Sequence, residues 1–102
     1  MTQNRKEMQA TVTKQKLDKY FAITKEALEA AKGSGNRRKE FQSERADFID
    51  MIERYVSDAG HFESNSDYIN AFAALNYAHG WLDAGARLGL FDVHDSRLFT
   101  VD

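Results

Sequence analysis

The chain has 102 residues, a formal net charge of −2 and neither cysteine nor proline. That length suits a single domain, which buries roughly two-thirds of its unfolded surface on folding. Without cysteine there can be no disulfide framework, thiolate metal site or cysteine catalysis, and the near-neutral charge argues against a general nucleic-acid binder with its basic face.

In chain order, the opening Met1 to Glu7 lacks the apolar run of a signal peptide, and no later stretch approaches the eighteen or so apolar residues a membrane span needs. A soluble cytoplasmic protein is expected. The first helix is expected from about Lys6 to Lys32, because Leu17, Tyr20, Phe21, Thr24, Ala27, Leu28 and Ala31 recur on one face at helical spacing. Its first turns, with only Met8 and Val12 apolar, have little to anchor them. Gly33-Ser34-Gly35-Asn36 breaks the pattern.

A second helix is expected from about Arg38 to Phe62. Phe41, Phe48, Ile52, Tyr55, Ala59 and Phe62 form a bundle seam that Arg45 interrupts, while Glu40, Asp47, Asp50, Glu53 and Arg54 face outward. Ser64-Asn65-Ser66-Asp67 marks the next break and supplies capping oxygens for a third helix, from about Asp67 to Leu90. Tyr68, Phe72, Leu75, Leu82 and Ala86 form its core face. Beside them runs a flank of small residues, Ala71, Ala74, Ala78, Gly85 and Gly89, which allows close helix approach. The segment from Leu90 to Asp102 is too apolar for a free tail and is expected to pack back on the bundle. The fold class is therefore all-α, a compact antiparallel three-helix bundle in a single domain spanning residues 1–102.

From Tyr68 to Val93 the sequence reads YINAFAALNYAHGWLDAGARLGLFDV. This closely resembles the archaeal domain-of-unknown-function family 357, whose pattern has a Gly-Asp-Tyr helix start, an Ala-Phe-Ala-Ala run, Tyr-Ala-His-Gly, and Leu-Asp-Ala-Gly before Arg-Leu-Gly-Leu. Ser66 stands where the family usually has glycine. The resemblance implies a compact three-helix bundle and no particular activity.

The polar residues that could carry chemistry gather on the third helix. At about 100° per residue, His79 falls inside the apolar face, Asp83 at its border, and Asn76 and Arg87 just beyond. The spacing allows a His79–Asp83–Arg87 chain, in which a carboxylate between two cations could orient the imidazole. No nucleophile or second carboxylate completes a catalytic set, so a structural histidine is the expected reading and no catalytic residue is assigned. A metal site would have to add Asp58 and His61, yet the wheel turns His61 outward, and neither metal nor other cofactor is expected. Phe62 to Leu90 also has the look of the nucleic-acid-related HEPN domains, in which an Arg is followed about four to six residues later by His; Arg54 with His61 and Arg87 with His94 fit loosely. This leaves an RNA-processing or hydrolytic enzyme as the alternative function.

A second apolar stripe, Tyr77, Trp81, Ala84 and Leu88, lies opposite the core face. Cover by the tail through Leu98 and Phe99, or by the first helix, is the expectation within a monomer. The other reading is an interface, with Tyr77, Trp81 and Leu88 as anchors for a homo-oligomer or an unidentified protein partner. The function expected from sequence is thus a small helical interaction or structural module, with no clear nucleic-acid or membrane binding.

Overall fold

The computed structural model describes residues 11–100. Among these residues there are three α-helices: α1 (Lys14–Gly33), α2 (Gln42–Ser64), entered through a single 3-10 turn at Lys39–Phe41, and α3 (Tyr68–Leu88). Among the described residues there is no strand.

The helix ends follow from local chemistry. Thr13 is extended, and its Oγ1 accepts the Lys16 N–H at 3.1 Å, so α1 starts at Lys14 rather than at Lys6. The earlier stretch, with Met8, lies outside the described residues. Arg38, expected to open the second helix, precedes the 3-10 turn instead. Asp67 caps α3 by accepting the Asn70 N–H at 3.2 Å.

Both α2 and α3 end in the same way. At the end of α3, Gly89 takes a φ of 85°, its N–H donates to Ala86, and the Leu90 N–H reaches back to Gly85. At the end of α2, Ser66 takes a φ of 58°, its N–H donates to Glu63, and the Asp67 N–H reaches back to Phe62. In each case a left-handed residue lets two backbone donors satisfy carbonyls that the last helical turn leaves unpaired. The glycine that the family pattern places at position 66 is the residue that adopts this φ without strain.

Short connections force neighbouring helices to run antiparallel. Lys14 at the start of α1 lies 3.7 Å from Glu63 at the end of α2, while Arg45 near the start of α2 reaches the end of α1. Helix α3 packs against both others and is the centre of the bundle. Its core residues Ala71, Leu75, Ala78, Leu82 and Ala86 are buried against Leu17, Leu28 and Ala31 of α1 and Ile52 and Ala59 of α2. Burying a leucine or isoleucine side chain contributes about 1.5–3 kcal/mol, so these positions dominate the stabilisation. Tyr68 and Phe72, expected in the core, are only half-buried, with Phe72 edge-on to Tyr20 at 4.8 Å between ring centres.

The tail does fold back. Leu90, Phe91, Leu98 and Phe99 are all buried and join the core at the end of the bundle formed by the C-termini of α1 and α3. Asp95 shapes the return: its side chain accepts the Arg97 N–H at 2.9 Å, and its carbonyl accepts the N–H groups of Leu98 and Phe99.

Candidate functional site

The His79–Asp83–Arg87 edge lies against the returning tail. The His79 Nε2–H donates to the Leu98 carbonyl at 2.7 Å, Asp83 Oδ1 accepts the Thr100 N–H at 2.8 Å, and Arg87 reaches the Thr100 carbonyl at 3.5 Å. A carbonyl can only accept, so Nε2 carries the proton, and Nδ1 is the acceptor in the neutral ring. Three side chains one turn apart thus bind alternating acceptors and donors of the backbone that leaves the Asp95 turn. The spacing allows bonds among the three, but each bonds to the tail.

Arg97 fastens the same tail to α1 through a paired hydrogen bond to the Glu26 carboxylate, one arm of which measures 3.2 Å. The Arg97 guanidinium holds the Glu26 carboxyl below its ordinary range. Between α1 and α3 a cleft of about 440 Å³ remains, lined by Thr24, Asn76, His79, Asp83 and Arg97 among others. Asn76 is exposed at its rim, and the Thr24 hydroxyl is buried without a partner.

The other polar candidates lie apart. Asp58 and His61 are exposed on α2, and among the described residues no group of three His, Asp or Glu side chains could hold a metal ion. Arg54 pairs with Asp50 at 3.0 Å, while His61 lies beside Asn65. Arg87 is turned to the tail, and His94 pairs with Asp92 at 2.9 Å. Each member of the two Arg-to-His spacings has a partner of its own.

The apolar stripe has a different environment from the one expected. The tail packs on the flank of α3 that carries His79 and Asp83, and neither Leu98 nor Phe99 lines the groove beside Trp81. Helix α2 supports the stripe from its other flank. Phe48 stands edge-on to Trp81 at 4.7 Å, and Tyr55 stacks on Tyr77 at 5.4 Å. The outer surface stays open as a groove of about 670 Å³, lined by Phe48, Ala73, Tyr77, Gly80, Trp81 and Ala84, with Asn76 on its edge. Among the described residues, the three most exposed large apolar side chains, Ile69 at 65%, Tyr77 at 63% and Leu88 at 49%, all belong to α3. With Trp81 they fall within an arc of about 120° on the helix.

One residue that sequence reasoning passed over organises the end of the bundle. Arg45, the interruption in the α2 seam, donates to the carbonyls of Leu90 at 2.6 Å, Ser34 at 2.9 Å and Ala31 at 3.2 Å. It also lies over the Phe91 ring. Two backbone bonds tie the same loops together, from Arg37 N–H to Gly89 and from Asp92 N–H to Gly35, each 2.9 Å long. Gly85 completes the seat: a Cβ there would stand 2.3 Å from the Phe91 ring. The small residue at 85 therefore makes room for an aromatic ring of the tail rather than for a neighbouring helix.

Gly85, Gly89 and Leu90 belong to the run Leu82-Asp83-Ala84-Gly85 and Arg87-Leu88-Gly89-Leu90 that is part of the resemblance, and the sequence model of that family, described as a protein of unknown function, matches residues 19–91. The chain belongs to domain-of-unknown-function family 357. The family 357 match spans most of α1 and all of α2 and α3 and ends at Phe91, so the Gly85 seat and the Gly89 cap fall inside it, while the tail residues Leu98 and Thr100 lie beyond it. No curated protein and no solved structure matches the chain. Among the described residues no helix is long and apolar enough to cross a membrane.

Proposed function

We propose that this protein is a non-catalytic interaction module that docks an α-helix of a protein partner along the outer face of α3. The observation that carries this reading is the concentration of the most exposed large apolar residues on that one face. Isolated exposed leucines are ordinary on a protein surface, but a contiguous stripe of Ile69, Tyr77, Trp81 and Leu88 is not. The groove suits a helix because small residues, Ala73, Gly80 and Ala84, form its floor between aromatic walls. Phe48 and Tyr55 hold those walls in place, which lowers the ordering cost of binding. The polar edge supports the same reading, since His79 and Asp83 bind the chain's own tail.

The test is a photoreactive amino acid placed at Leu88, with the exposed Lys19 position as control, irradiated in cells and mapped by mass spectrometry. An adduct at position 88 to an apolar helical segment, without one at 19, is the expected result. Position 88 giving no protein adduct would reject the docking face.

A further inference from the structure

Resting on the docking face just proposed, we infer that the helix received there is α3 of a second copy, laid antiparallel across a two-fold axis between Gly80 and Trp81. The argument begins with Gly80. A glycine inside a helix is unfavourable, and at Gly85 the Phe91 ring explains it, but at Gly80 no atom beyond its chain neighbours and its own helical backbone lies within 4 Å of where a Cβ would sit. Nothing within the monomer requires the missing side chain. Gly60 in α2 is equally open, so the argument rests on the position of Gly80 in the floor of the groove as well as on the space above it.

An isologous contact demands that one surface supply both projections and recesses, because each residue meets the residue equally far on the other side of the axis. This face does so in register. With the axis between Gly80 and Trp81, Gly80 faces the partner's Trp81, Tyr77 faces the partner's Ala84, and Ala73 faces the partner's Leu88. Every large side chain meets a small one. Charge agrees with size: none of these six residues is ionisable near neutral pH, and the nearest cation on α3, Arg87, is turned towards Thr100. Two copies can therefore meet here without opposing like charges.

The lack of cysteine makes the register directly testable. Tyr77→Cys and Ala84→Cys chains are mixed and oxidised. In the inferred register positions 77 and 84 face one another, whereas two copies of position 77 lie about 10 Å apart along the axis, beyond the roughly 7 Å that a disulfide spans. The mixture should form covalent dimers well ahead of either variant alone. Equal or faster cross-linking of a single variant would overturn the register.

Light scattering of the unmodified chain over a concentration series should show a dimer. Gly80→Leu, whose Cβ meets open space in the monomer, should raise the dissociation constant by about tenfold or more with helicity unchanged. A strict monomer, or a dimer indifferent to Gly80→Leu, would overturn the inference. A monomer whose position 88 still photolinks to a foreign helix would overturn the second copy and keep the docking face; a monomer without any adduct would reject both.

Discussion

The Arg45 guanidinium donates to the Leu90 carbonyl at 2.6 Å across forty-five positions of sequence, while its second nitrogen serves the C-terminal end of α1 and the loop beyond. A single planar fork thus satisfies carbonyls from two chain segments at once, and its face covers the Phe91 ring. Lysine retains the charge but not the fork, so Arg45→Lys should cost about 1–2 kcal/mol and Arg45→Ala about 2–4 kcal/mol. Urea unfolding measures both. A lysine variant as stable as the parent would mean that charge alone matters there.

Ser66 holds a left-handed conformation at a φ of 58°. A side chain in that region costs about 1–2 kcal/mol, a cost that glycine escapes. Ser66→Gly should raise the thermal midpoint, at about 4–8 °C per kcal/mol for a domain of this size. A lower midpoint would show that the freedom glycine adds to the unfolded chain outweighs the relief of strain.

Gly85 and Phe91 should behave as a coupled pair. A methyl group at 85 collides with the ring, so Gly85→Ala is expected to lose about 1–3 kcal/mol despite alanine's better helix propensity. Phe91→Leu should lose stability by itself yet remove much of the penalty of Gly85→Ala. A double-mutant cycle with purely additive energies would contradict the seat described above.

Acid should loosen the tail before the bundle. The Glu26 carboxyl is held low by Arg97, so its contribution is complete above the ordinary carboxylate range and is lost as pH falls through the lowered folded value. Both side chains are exposed and the pair is screened by salt, so the effect on global stability is small. Loss of Arg97 side-chain ordering in step with Glu26 protonation, followed by NMR, would bear this out. The Glu26→Gln variant should show no such step.

Asp83 tests the tail's other attachment. Its carboxylate accepts the Thr100 N–H, and in Asp83→Ala that amide should exchange with solvent markedly faster while the amides of α2 keep their protection. Uniformly faster exchange would mean that Asp83 supports the whole bundle.

The helices were legible because burial writes a period into side chains. On α1 Leu17, Phe21, Thr24, Ala27, Leu28 and Ala31 are buried as the spacing required, and of the expected face Tyr20 alone is half-buried. Arg45 was not legible: in an apolar seam a cation looks like an interruption, and its partners are backbone carbonyls, which every residue possesses. The same reason hid the tail's register, for His79, Asp83 and Arg87 engage main-chain groups of Leu98 and Thr100 that leave no compositional trace. The apolar stripe could be read, but the side on which the tail would return could not. That depended on the turn at Asp95 and on the room left beside Gly85.

The chain's only tryptophan is Trp81, half-exposed at the wall of the groove with Phe48 against its ring. Its emission therefore works as a built-in optical gauge of that surface. Anything seated over the indole displaces water and moves the spectrum to the blue, whereas unfolding exposes the ring and moves it to the red. Occupancy and denaturation shift the same signal in opposite directions, so the protein can be titrated without a label.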